Sequence, residues 1–282
     1  METQFHAPGK DAALARKTPA EHRHVGVDVA GNFPVRIYAL GRFTLLVQDS
    51  APRASRKSQH KPLELLKALI ALGGRDVSIE GLAHALWPDA EGDKALVAFD
   101  TTLHRLRRLL GIPGALILTG RKLTLNANQC WVDCWAVERI MRTLDSALKE
   151  HRATEADVAA LGESIENLYH GMFLGTDTPT AWSLSLRERL RSRYLRYITN
   201  AGRFWETAGQ HAHAIDIYRK GIETDNLMEH FYQRLMHCHL QLDQRAEALS
   251  VYYRCERVLS RLHGIRPNQI TETLRIRAQF PS

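Results

Sequence analysis

No apolar run in this sequence approaches the length needed to cross a bilayer core. Its first thirty residues carry charges and histidines without the apolar stretch of a secretory signal, so they read as a flexible tail. Cysteine is scarce: Cys130, Cys134, Cys238 and Cys255 form no CxxC pair. A chain of 282 residues can build cores without staples, so free thiols in a reducing cytosol are expected. The His237-Cys238-His239 run, even with Cys130 and Cys134, matches no closed zinc spacing, and no metal is expected. His211 and His213, two apart at a helix start, read as solvent-facing. A Walker-type phosphate loop, a nucleophile elbow and a zinc-protease helix are all missing. No catalysis and no cofactor are expected.

What the chain does have is positive charge. A formal charge of +7 and a pI near 9.4 favour an anionic partner, with nucleic acid foremost. Length allows about two domains. The most informative stretch is DKALVAFDTTLHRLRRLLG, residues 93–111. At helical spacing Leu96, Phe99, Leu103, Leu106 and Leu110 form one apolar stripe. Lys94, Thr101, His104, Arg105 and Arg108 fall opposite, with Arg107 at the margin. Asp93 is placed to cap the helix, and Gly111 with Pro113 ends it. Such a helix suits the major groove, where Arg forks onto guanine and Thr meets phosphate or a thymine methyl.

The flanking stretches strengthen that expectation. VRIYALGRFTLLV (35–47) reads as two short strands joined by a tight turn at Gly41-Arg42. A basic stretch from Arg53 to Lys61 follows, and Pro62 suits the first position of a helix stopped by Gly73-Gly74. Ser78 caps a second helix that Pro88 ends. After the amphipathic helix, Leu116–Leu118 and Lys122–Leu125 read as a hairpin with Thr119-Gly120-Arg121 at its tip. Strands, three helices and a hairpin with a basic tip are the plan of a winged helix-turn-helix, whose third helix enters the groove.

From Asp133 onward the periodicity is helical, apart from a loop at GMFLGTDTPT (171–180). A long basic helix opens at Trp182; its Arg187, Arg189, Arg191, Arg193 and Arg196 read as a solvated or ion-paired face. Ala214, Ile215 and Tyr218 recur 34 residues later as Ala248, Leu249 and Tyr252, and Tyr197 returns as Phe231. This is the tetratricopeptide period. Met236 stands where the second unit would have a small residue, and a helix near Asn268–Arg277 would close the stack.

FDTTLHRLRRLL (99–110) resembles the recognition helix of OmpR/PhoB-type regulators, and LAHALWPD (82–89) with WVD (131–133) resembles the SARP-type bacterial activators. In that family a winged helix precedes a helical bacterial transcriptional activation domain. The resemblance, from about Val35 to about Arg277, implies Thr101, Thr102 and Arg105 in the groove. It places Arg107, Arg108, Arg121 and Thr119 around the phosphates, with His104 where relatives often carry Arg; Lys94 and Lys122, basic and close by, are expected to anchor phosphates with them. The segment ahead of the winged helix does not read as a receiver domain of the kind that controls OmpR/PhoB relatives, so phosphorylation control of that type is not expected.

The expected fold is therefore mainly α with a small β component. It comprises a tail (1–32), a winged helix (33–130) and an all-α tetratricopeptide-like domain (131–282). The expected function is a bacterial, cytoplasmic, nucleoid-associated transcriptional regulator, an activator by its family. Double-stranded DNA is the expected partner, with cooperative assembly or homodimerisation, or RNA polymerase contact, through the helical domain and no membrane. An adaptor whose winged helix docks protein is the other reading, and a steep salt dependence of duplex binding separates the two.

Overall fold

The computed structural model describes residues 31–52 and 56–280, and the side chains of 56–59 and 261–263 are left aside. Most of the expected tail, and Arg53 of the basic stretch, thus lie outside the described residues. The chain begins with β1 (Val35–Tyr38) and β2 (Thr44–Val47), paired antiparallel. They are joined through Ala39–Phe43 rather than by a two-residue turn, because this segment docks on a later loop. Helices α1 (Arg56–Ala71), α2 (Ile79–Leu86) and α3 (Gly92–Leu110) follow, with β3 (Val77–Ser78) ahead of α2. Pro62 sits inside α1 instead of opening it. Ser78 caps α2 as expected, its hydroxyl accepting from Gly81 N–H at 2.9 Å. Asp93 lies in the first turn of α3 and does not cap it; Glu91 holds the cap position without a side-chain hydrogen bond. Gly111 ends α3 in the left-handed region, as its lack of Cβ permits.

Strands β4 (Leu116–Thr119) and β5 (Lys122–Leu125) form the hairpin, and β3 pairs with β5 to make a three-stranded sheet. Then β6 (Cys130–Val132) pairs parallel with β1, completing a second sheet in the order β2-β1-β6. This last strand straddles the boundary expected at residue 130. Phe99, Leu103, Leu106 and Leu110 of α3 are buried in one core cluster with Leu65, Leu66 and Leu69 of α1 and Leu82 of α2.

Seven helices follow: α4 (Asp133–Lys149), α5 (Glu155–Leu168), α6 (Ala181–Thr207), α7 (His211–Thr224), α8 (Glu229–Gln241), α9 (Arg245–His263) and α10 (Gln269–Gln279). From α6 on, each packs against the next. The recurring positions Ala214, Tyr218, Ala248, Tyr252, Tyr197 and Phe231 are all buried. Gly202 marks the tightest crossing, since a Cβ there would lie 2.4 Å from the Tyr218 ring. One repeat later Met236 fills the equivalent place, packed with Ala248, Tyr252, Leu274 and Ala278 in a smaller core of its own.

The N-terminal elements and the helices share a continuous core and a polar clasp. Asp133, 1% exposed, accepts from the N–H groups of Ala39 (2.8 Å) and Leu40 (2.9 Å), and from Cys134 N–H at 2.6 Å. The loop after α5 pairs with the end of β1: Gly41 N–H donates to Met172 O (2.9 Å), and Leu174 N–H to Ala39 O (2.7 Å). Gly41 has φ +80°, and a Cβ there would approach His170 O to 2.8 Å, so both conformation and space call for glycine. Arg187 of α6 secures the loop by donating to the carbonyls of Phe173, Leu174 and Asp177. Lys67 of α1 forms an ion pair with Asp177. No described helix is long and apolar enough to cross a membrane.

Candidate nucleic-acid interface

Packing of one α3 face against α1 and α2 leaves the opposite face open. Thr101, His104, Arg105, Arg107 and Arg108 are exposed there. The three arginines have no carboxylate partner among the described residues, so their guanidinium forks remain available. Lys94 is exposed one to two turns earlier and pairs with Glu91 at 2.8 Å. A solvated pair of this kind contributes about 0–1 kcal/mol, so it yields readily to a phosphate.

Thr102 does not join this face. It is 5% exposed and its hydroxyl donates to Ala98 O at 2.7 Å. The reason is helical period: it follows Phe99 by three residues and precedes Leu106 by four, which puts it in the buried stripe. Thr102 is therefore not placed to enter a groove, contrary to the expectation from the resemblance. Two residues absent from the expected set do share the open face. Val97, 68% exposed, offers an apolar contact of the sort a thymine methyl accepts, and Asp100 offers an acceptor that would meet a cytosine amine. Their spacing from Thr101 and His104 carries that signal in the sequence.

The hairpin tip lies next to the start of α2. Gly120 (φ 54°) and Arg121 (φ 59°) are both left-handed, the geometry of a two-residue type I′ turn. Arg121 O accepts from Ile79 N–H at 3.0 Å, and Arg121 Nε donates to Glu80 Oε1 at 2.6 Å. Arg121 is thus engaged, though both partners are well exposed. Lys122 is exposed with no carboxylate partner among the described residues, and Thr119 is exposed opposite it in the β4–β5 register.

The arginines of α6 behave differently. Arg189 and Arg193 reach Glu138, Arg191 reaches Glu188 and Asp225, and Arg196 reaches Asp145. With Arg187 committed to the loop carbonyls, these side chains hold α6 against its neighbours, as the ion-paired reading expects. All four cysteines are buried free thiols: Cys130 in β6, Cys134 in α4, Cys238 in α8 and Cys255 in α9. Burial pushes the Cys130 and Cys255 thiols up to about 12, which leaves them inert apolar filler.

Comparison with known proteins bears on the helical part most directly. Residues 132–277, more than half of the chain, match the family described as bacterial transcriptional activator domain. In three dimensions the chain is similar to the solved structure of Mycobacterium tuberculosis EmbR in complex with a low-affinity phosphopeptide. The TM-score is 0.63, with 18% sequence identity, over 88% of this chain and 66% of that one. This likeness is one of fold, and the chain spans just under two thirds of that protein's length. No curated protein matches the chain by sequence. On the match over 132–277, and as the SARP-type resemblance leads one to expect, the chain belongs to the bacterial transcriptional activator domain family.

Proposed function

We propose that the protein is a sequence-specific DNA-binding regulator of bacterial transcription, an activator by its family, acting in the cytoplasm at the nucleoid. In this reading the N-terminal elements are an OmpR/PhoB-type winged helix-turn-helix, with α3 as the recognition helix and β4–β5 as the wing. Arg105 and Thr101 read base edges, with Val97 beside them. Arg107, Arg108, Lys94, Lys122 and, after release from Glu80, Arg121 hold phosphates. The helices from α4 onward are a tetratricopeptide-like domain that assembles the protein on DNA or contacts RNA polymerase. Binding, without catalysis, is the mechanism. The observation that carries it is the open α3 face, whose three arginines lack carboxylate partners among the described residues, together with an exposed hairpin tip.

Titration of the full chain with duplex DNA across a salt series tests this. A steep fall of affinity with salt is expected, because each neutralised phosphate releases counterion. Lys122→Ala is expected to weaken all duplexes alike and flatten the log–log slope by about one phosphate equivalent. Weak binding that ignores salt would instead favour an adaptor whose winged helix docks protein.

A further inference from the structure

A second group of basic side chains, arginines with histidines among them, lies on the face shared by α6 and α8. Arg203, Glu206, Thr207, His230 and Arg234 line an open cleft of about 380 Å³. Glu206 is its carboxylate, and it is fully committed. Arg234 Nε donates to Oε1 at 2.8 Å, Arg234 Nη2 pairs with Oε2, and Tyr218 OH donates to Oε1 at 2.6 Å. Arg203 is exposed with no carboxylate partner among the described residues. His237, one repeat period beyond Arg203, extends the cluster toward Arg277 of α10, which is also exposed and without such a partner.

These groups sense one another. Burial, then the charge of Arg203, holds the His230 imidazole below its ordinary range. Burial, then Arg234, His211 and Arg277, does the same to His237. The buried Nδ1 of His211 has no hydrogen-bond partner among the described residues. Both imidazoles are therefore uncharged near neutral pH and serve as hydrogen-bonding groups, while Arg203 and Arg277 keep charges that no carboxylate among the described residues meets. Arginine clusters on helical repeats are a common device for gripping acidic peptides, and stacked repeats present their concave faces for such contacts.

The geometry points to this cleft as a docking site for an acidic peptide segment of a partner protein, held by Arg203, His230 and the free edge of Arg234, and further along by Arg277. A cleft of this size between helices admits single carboxylate side chains, which a peptide presents one at a time and a duplex does not. Arg234 is sunk to 33% exposure. The site is in the helical region and does not depend on how α3 is used.

The test is fluorescence anisotropy of fluorescein-labelled decaglutamate with the full chain. Saturable binding is expected, weakened about tenfold or more by Arg203→Glu with Arg277→Glu, since charge reversal in a complementary contact is strongly unfavourable. Arg254→Glu with Arg257→Glu makes the same net charge change at exposed positions of α9 and should shift it less than about twofold, the residual effect of screened distant charge. Melting temperatures check that both variants fold, and their duplex affinity should match that of the parent. Absence of saturable binding, or equal loss in the two variants, overturns the proposal. So does parallel loss of duplex binding by the Arg203/Arg277 variant, which would make the face a nucleic-acid surface. Displacement by inorganic phosphate as readily as by unlabelled peptide reduces the cleft to a simple anion site and equally overturns it.

Discussion

Replacing Asp133 with alanine is expected to destabilise the full chain by about 2–6 kcal/mol, because two buried N–H groups, each worth about 1–3 kcal/mol when unpaired, lose their acceptor. Those groups belong to Ala39 and Leu40, and Asp133 Oδ2 receives both. Asparagine keeps one acceptor oxygen and should cost less, since its amide then faces only Cys134 N–H. Burial pushes the Asp133 carboxyl from 3.8 up to about 7, against the pull of the Leu40, Ala39 and Cys134 N–H donors. A raised folded-state value means that the folded chain holds this proton more tightly than the unfolded chain does. The contribution is therefore fully present below about pH 3.8, falls as pH rises toward about 7, and is level above that. Urea unfolding of the three proteins from pH 4 to pH 8 measures both effects. Equal stability of the alanine and asparagine variants would show that Asp133 does not latch the segment after β1, and the same pH slope in asparagine as in the parent would show that its carboxyl is not the group titrating in this range.

For DNA, the largest single loss is expected from Arg105→Ala. Its side chain leaves the middle of the open α3 face, one residue before the buried Leu106, and has no intramolecular carboxylate among the described residues. Nothing in the fold depends on it. A bidentate contact to a guanine edge is worth about 1–3 kcal/mol, so the variant should bind its selected site about 5- to 150-fold more weakly and tolerate other bases at one position. Site selection from a random pool, then titration of parent and variant against selected and scrambled duplexes, reads this directly. An equal loss on both duplexes reassigns Arg105 to a phosphate.

Features encoded within one helix were legible from the chain alone. Leu103, Leu106 and Leu110 alternate with Arg105, Arg107 and Arg108 at a spacing that separates core from surface, and Gly111 marks the end. Thr102 is equally readable as buried from that period; its groove role rests on the family resemblance, which carries motif positions over without regard to the face they occupy. The pairing of β6 with β1 was not legible. Three residues at 130–132 form too short a run for any alternation to show, and their partner lies nearly a hundred positions earlier. Asp133 reads locally as an ordinary helix opener; what makes it a latch is a pair of backbone N–H groups, which have no side-chain signature. The same limit applies to Arg121 and Glu80, separated by 41 positions, and to the partners of the α6 arginines. Charge announces that a side chain seeks a partner, but only the fold says which.

The clasp made by Asp133, the loop after α5, Arg187 and the Lys67–Asp177 pair has a mechanical meaning. It ties the N-terminal elements to α4, α6 and the loop after α5 at several separate points, as a bracket is fixed by more than one bolt. A bracket seated in a groove inherits the groove's rotation. On the proposed docking, moving its seat by about 5 base pairs, half of the 10–10.5 bp turn, carries the other arm to the far side of the duplex. A freely jointed pair of domains would not notice that shift. On that docking, the helical phase of the site joins base sequence in setting which way the repeat helices face.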